Sequence, residues 1–132
     1  MPITFTLLFL ALAACGSSSP SGPRTTLDIR GTWDEIAVVG PTQYPQTLTI
    51  TTEDMTSGTW SGSDVAPNGQ TFKVTGTISG SDITSKTTTS GYTSNAKGKI
   101  THASVSWSMS GTFSDSGQLS GTYTAMRVIM LP

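Results

Sequence analysis

From residue 24 onward, apolar and polar side chains alternate with a period of two. Phe72, Val74, Gly76 and Ile78 fall on one face of an extended chain, and Thr71, Lys73, Thr75 and Thr77 on the other. Ala103, Val105, Trp107, Met109, Gly111 and Phe113 alternate in the same way with Ser104, Ser106, Ser108, Ser110 and Thr112. Leu119, Gly121, Tyr123 and Ala125 alternate with Ser120, Thr122 and Thr124, and Leu48 and Ile50 sit between Thr47, Thr49 and Thr51. One dry face and one wet face indicate antiparallel sheet. No segment carries a helical period. The pattern predicts strands at 29–39, 46–53, 56–64, 70–79, 82–90, 98–114 and 118–130. In the first of these the alternation slips at Asp34–Glu35, as it would at a β-bulge.

Turn residues separate the runs at short range. Asn68-Gly69 is the strongest hairpin signal, because a type I′ turn needs positive φ at both central residues. Gly80-Ser81 and Asp115-Ser116-Gly117 are weaker forms of it. Sequential hairpins without a long crossover make a meander. A short signature recurs along it: Gly31-Thr32-Trp33, Gly58-Thr59-Trp60, Gly76-Thr77-Ile78, Gly111-Thr112-Phe113 and Gly121-Thr122-Tyr123. Glycine inside a strand permits tight bending and close approach of a bulky neighbour. Repeated along a meander, such kinks let a sheet coil and close, which also removes sticky edge strands. The expected fold is all-β: an up-and-down meander of seven to eight strands closed into a small barrel. A two-sheet β-sandwich is the alternative.

Composition narrows the function classes. The chain has 132 residues, 11% of them charged, with a formal net charge of -1. There is no basic footprint for nucleic acid. Serine, threonine and glycine dominate, a bias that can mean disorder. The regular recurrence of Trp33, Trp60, Phe72, Trp107, Phe113 and Tyr123 inside Thr-rich runs indicates a packed interior instead. The single cysteine, Cys15, excludes an intrachain disulfide framework and a thiolate metal cluster.

Cys15 stands at a change of composition. Ile3 to Leu12 reads ITFTLLFLAL, too short for a bilayer span of about 20 residues but suited to the apolar part of a signal peptide. Small residues follow at Ala11, Ala13 and Ala14, then the cysteine, then GSSSPSGP from Gly16 to Pro23. The Ser/Gly/Pro stretch has nothing large to bury and reads as a flexible tether. Leu12-Ala13-Ala14-Cys15 resembles the lipobox of bacterial lipoproteins. That resemblance implies a lipid on the Cys15 sulfur, cleavage just before it, and a chain divided into a signal peptide (1–14), a lipidated cysteine with tether (15–23) and one β-domain (24–132). Gly16, where an Asp would signal inner-membrane retention, implies the outer membrane of a bacterial envelope. The first 14 residues lack the basic side chain that such leaders carry. The other reading is a signal peptide cut after Ala13, with Cys15 left as a free thiol.

Gly31-x-Trp33 on the first strand resembles the opening motif of the calycins: lipocalins, fatty-acid-binding proteins and avidins. In those barrels a basic side chain on the last strand packs across that tryptophan. Arg127, inward by alternation in Tyr123-Thr-Ala-Met-Arg127, is the matching residue, so the resemblance makes Trp33 and Arg127 a barrel-closing pair. By length the domain is nearer to avidin than to a lipocalin.

No catalytic constellation is legible. His102 is the sole histidine and has no partner for a zinc site. Asp34-Glu35 and Glu53-Asp54 read as solvated acids at strand ends and turns, and no Gly-x-Ser-x-Gly elbow is present. Trp33, Trp60, Phe72, Trp107 and Tyr123 are candidates for a ligand pocket or for the core. The inward positions of 82–90 are mostly Thr and Ser, which favours some cavity. The expectation is a non-enzymatic, lipid-anchored envelope module that needs no cofactor or metal. It would hold a small apolar ligand or, with a packed interior, meet a protein or glycan partner.

Overall fold

The computed structural model describes residues 27–103, 106–117 and 119–128. The leader, Cys15 and the tether lie outside the described residues. Eight antiparallel strands follow one another: β1 Gly31–Val39, β2 Thr42–Asp54, β3 Thr59–Val65, β4 Thr71–Ser79, β5 Asp82–Thr89, β6 Tyr92–Ala103, β7 Ser106–Asp115 and β8 Ser120–Arg127. Each pairs with the next, and β1 pairs with β8, so the meander closes into a barrel. The sandwich alternative is thereby excluded.

The Thr-rich alternation explains this arrangement. Most inward positions are apolar or small and most outward positions are Ser, Thr or Lys. Lys73, Lys86, Lys97 and Lys99 are all exposed on β4 to β6, and Lys99 pairs with Asp82 across β5–β6. The β3–β4 hairpin forms at the expected place but not with a type I′ turn: the Gly69 amide donates to the Ala66 carbonyl at 2.9 Å, so Pro67 and Asn68 are the central residues, and the Pro67 ring holds φ negative. Closure depends on glycines that face inward opposite rings. At Gly76 a Cβ would collide with the Trp60 indole; Trp60 is its direct partner across β3–β4. The large residue that fills each gap therefore comes from the neighbouring strand, not from two positions along the same one. Tyr123 opposes Gly111, and Phe113 opposes Gly121. Gly58 of the signature lies in the β2–β3 turn instead.

Three strand expectations need correction. The run 98–114 is two strands, broken between Ala103 and Ser106, and β6 begins earlier, at Tyr92. A single 17-residue strand at about 3.3 Å per residue would overshoot a barrel wall, but no Gly, Pro or Asn marks the break. The β2 strand begins at Thr42, through Pro45, and β3 begins at Thr59. The bulge is not at Asp34–Glu35. The β1–β2 register runs unbroken from Gly31↔Ile50 to Val39↔Thr42, and the irregularity lies on β2 between Ile50 and Thr52. The alternation slips in sequence because a glutamate takes an inward place and Ile36 an outward one.

The core occupies one end of the barrel. Trp33, Ile50, Ile78 and Ile83 are sealed from solvent, with Leu48, Trp60, Val74, Ile100, Met109 and Ala125 around them. The chain entering at 27–30 folds over this end and plugs it with Ile29. The Trp33 indole donates to the Ile29 carbonyl at 3.0 Å, and the Ile29 amide donates to Glu53 Oε1 at 2.9 Å. Arg127 locks the plug by donating to the carbonyls of Asp28, at 3.1 Å, and Arg30.

Candidate functional site

The opposite end of the barrel is open. Between the turns that join β1–β2, β3–β4, β5–β6 and β7–β8 lies a cavity of about 360 Å³. Its floor is the upper limit of the core. Phe72, Tyr92 and Phe113 supply apolar wall, and Ser85, Thr87, Thr89 and Ser94 supply hydroxyls. Phe72 and Tyr92 lean together, with ring centroids 6.2 Å apart. Tyr123 reaches in from β8, and its hydroxyl passes so close to Gly98 that a Cβ there would lie 2.6 Å away.

Two carboxylates share this space. Glu35 on β1 and Asp64 on β3 both line the cavity, with Gln46 of β2 between them. With its amide nitrogen toward the acids, Gln46 donates to Asp64 Oδ2 at 2.9 Å and to Glu35 Oε1 at 3.2 Å. Local register explains why Asp64 has little other help. Its direct cross-strand neighbours are Leu48 and Phe72, which offer no donor. The residue is 6% exposed, and its Oδ1 is buried without a hydrogen-bond partner. Removal from water pushes its pKa up to about 6, although the Val65 amide pulls the other way. Burial, with the Asp64 charge nearby, pushes Glu35 up to about 8. Burial and the Glu35 charge together push the Tyr123 phenol up to about 12. Among the described residues no Lys, Arg or His lines the cavity.

The candidate residues divide between the two ends. Trp33 and Trp60 are core at the closed end, whereas Phe72 and Tyr123 line the mouth. Trp33 and Arg127 are direct partners in the β1–β8 register. The ring beneath the Arg127 guanidinium, however, is Trp107, at 5.5 Å from the centroid. Trp33 is turned into the core toward Ile29, which leaves the half-buried Trp107 at the rim to take the cation. His102, the direct partner of Trp107 across β6–β7, stacks on it with ring centroids 3.9 Å apart. Among the described residues no group of three or more His, Cys, Asp or Glu is arranged to hold a metal ion.

The acidic pairs need correction. Asp34 is exposed as expected, but Glu35 is half-buried inside the barrel. Glu53 is half-buried over the Ile29 amide, while Asp54 caps the β2–β3 turn through the amides of Thr56 and Ser57 at 2.9 and 3.2 Å. Asp64 and Gln46 do not stand out in the sequence, although a signal exists. Trp33-x-Glu35-x-Ala37, Gln46-x-Leu48-x-Ile50 and Trp60-x-Gly62-x-Asp64 each place a polar residue in phase with inward ones.

No family model matches the sequence, and no curated protein matches it either. Among solved structures, the crystal structure of a rhizavidin–biotin complex is similar in fold, with a TM-score of 0.59 at 14% identity. The match covers 80% of this chain and 100% of that one. The fold is thus an avidin-like eight-stranded barrel.

Proposed function

We propose that this protein is a non-enzymatic binding module that takes a small ligand in the open end of its barrel. The observation that carries the reading is the cavity of about 360 Å³, walled by Phe72, Tyr92 and Phe113 and carrying a few convergent polar groups. Apolar walls with sparse polar anchors are the usual make-up of a small-molecule site. The rhizavidin structure, which holds biotin, supports the reading as an example of the same barrel used for a small ligand. The sequence reading expects a small apolar ligand; Glu35 and Asp64 in the cavity wall favour one that also carries a polar group.

The lipobox adds an address. Lipidation at Cys15 would anchor the module to a bacterial envelope membrane, with the outer membrane favoured by Gly16. Two or more acyl chains are enough for stable anchoring. Native mass spectrometry of the purified full-length chain, with a thermal-shift screen of small molecules, tests the binding reading. A copurified ligand or a hit lost in Phe72→Ala supports it. A chain that carries no ligand and responds to no compound overturns it. Cys15→Ser should move the protein from the detergent phase to the aqueous phase, and a wild-type product already aqueous removes the anchor.

A further inference from the structure

The binding site in the mouth has an unusual charge balance. Among the described residues, every ionisable side chain that faces it, the tyrosine phenols aside, is acidic. From β1 comes Glu35, from β3 Asp64, and near the rim of β7 Asp115, whose charge is felt by Tyr92. The phenols of Tyr92 on β6 and Tyr123 on β8 are the other titratable groups. The inner residues of β2, β4 and β5, Gln46, Phe72, Ser85, Thr87 and Thr89, are neutral. All four lysines lie on the outer wall, and Arg127 is committed to the sealed end. A buried carboxylate without a partner costs stability. A barrel that kept Asp64 between Leu48 and Phe72 purely for packing would be better served by an apolar residue there.

Resting on the reading of the mouth as a small-ligand site, we propose that its ligand is an organic cation: a protonated amine on an aromatic or aliphatic body. The ammonium would sit against Asp64 and Glu35, and the body would lie between Phe72, Tyr92 and Phe113. An ammonium has three donors and no acceptor. It complements the buried Asp64 carboxylate, while Glu35, held protonated near neutral pH, would accept through its carbonyl oxygen or ionise against the cation; the two acids share the Gln46 side-chain amide. A carboxylate ligand would meet like charge at Asp64, and a neutral ligand would leave Asp64 uncompensated. Acidity should weaken binding, because protonation of Asp64 removes the charge that the ammonium meets.

Three probes of nearly one shape separate the cases: tryptamine, tryptophol and indole-3-acetate, titrated calorimetrically into the full-length chain at pH 7. Tryptamine should bind at least about tenfold tighter than tryptophol, the difference expected of a hydrogen bond to a charged group. Indole-3-acetate should bind weakest. Asp64→Asn should bring tryptamine and tryptophol to nearly equal affinity, Glu35→Gln should narrow the gap, and Asp34→Asn, on the outer face, should leave it unchanged. Lowering the pH from 7 to 5 should weaken tryptamine binding but not tryptophol binding. Tryptophol or indole-3-acetate binding as tightly as tryptamine would overturn the cation and leave the small-ligand site standing. Failure of all three probes also overturns it, and the compound screen then decides separately whether the mouth binds anything.

Discussion

The two ends of this barrel share eight strands and are built for different purposes. At the sealed end the inward positions are Trp33, Ile50, Ile78, Ile83 and Met109, plugged by Ile29 and locked by Arg127. Toward the other end of the barrel the inward positions become Glu35, Asp64, Ser85, Thr87 and Ser94 around a cavity. The β1 strand shows the change in one step, from fully buried Trp33 to half-buried Glu35. One end supplies the burial that holds the fold together, and the other holds groups that weaken it. Local violations of folding rules of this kind are where functional sites tend to lie.

The strongest way to break this contrast is to truncate a ring at each end. Trp33→Ala should destabilise by about 3–5 kcal/mol, the range for a fully buried aromatic, because it also removes the tie to the Ile29 carbonyl. Phe72→Ala, half-buried on the cavity wall, should cost about 1–2 kcal/mol, since the space already open beside it needs no new cavity. Chemical denaturation of both variants checks the pair. Equal losses would mean that the mouth is part of the core.

The next effect has the opposite sign. Both acids in the cavity have pKa values above those of the unfolded chain, Glu35 at about 8 and Asp64 at about 6. Both are neutral, and harmless to the fold, at low pH. Stability is then lost as pH rises, between roughly the normal carboxylate range and 6 for Asp64, and on to 8 for Glu35. Glu35→Gln should therefore stabilise the protein at pH 8.5 by about 1–3 kcal/mol, with the gain gone at pH 4. Melting curves across this range decide it. A Glu35→Gln variant less stable than wild type at pH 8.5 would make that glutamate a structural partner instead of a strained one.

At the sealed end, Arg127→Ala should cost about 1–2 kcal/mol, from the lost contact with Trp107 and two unmatched carbonyls. Arg127→Lys should recover only part of this, because an ammonium has no plane to lay on the indole. Trp107→Ala and Arg127→Ala together should cost less than their sum, whereas the Trp33 and Arg127 pair should be closer to additive. Coupling concentrated on Trp33 would reverse the assignment of the ring.

Much of the architecture was legible because a period of two is redundant. A dozen residues per hairpin repeat the same message, and one misplaced residue does not erase it. The break near 104 was not legible, since Thr101-His102-Ala103 runs on into more alternating residues without a turn former. The cavity was half visible, in the inward Ser and Thr of 82–90. Its acids were not, for two different reasons. Glu35 reads as a slip in the pattern, because alternation counts polarity and cannot tell a bulge from an inward charge. The phase of Trp60-x-Gly62-x-Asp64 points Asp64 inward, but its want of donors shows only through the β2–β3 and β3–β4 registers that set it between Leu48 and Phe72, and pairing of that kind is not written in any one segment. The closing ring went to Trp107 instead of Trp33 because the plug formed by Ile29 claims the deeper indole.

The smallest expected effect is the sharpest test of the inside–outside boundary. Asp34 and Glu35 are adjacent acids that read alike in the sequence, yet they fall on opposite faces of β1. Asp34 is exposed and its direct partners on either side are Thr47 and Met126. Removing a charge from such an outward position loses no buried contact. Asp34→Asn should therefore change stability by no more than about 0.5 kcal/mol, at pH 4 and at pH 8.5 alike. Glu35→Gln, one residue on, should follow the steep pH course of a buried acid. Two melting curves per variant, at these two pH values, are enough. If instead Asp34→Asn follows the steep pH course and Glu35→Gln stays flat, β1 is shifted by one residue from the register that sets Trp33 between Leu48 and Arg127. A shift of that kind would turn Trp33 out of the core along with Glu35, so fluorescence of the tryptophans would report it independently.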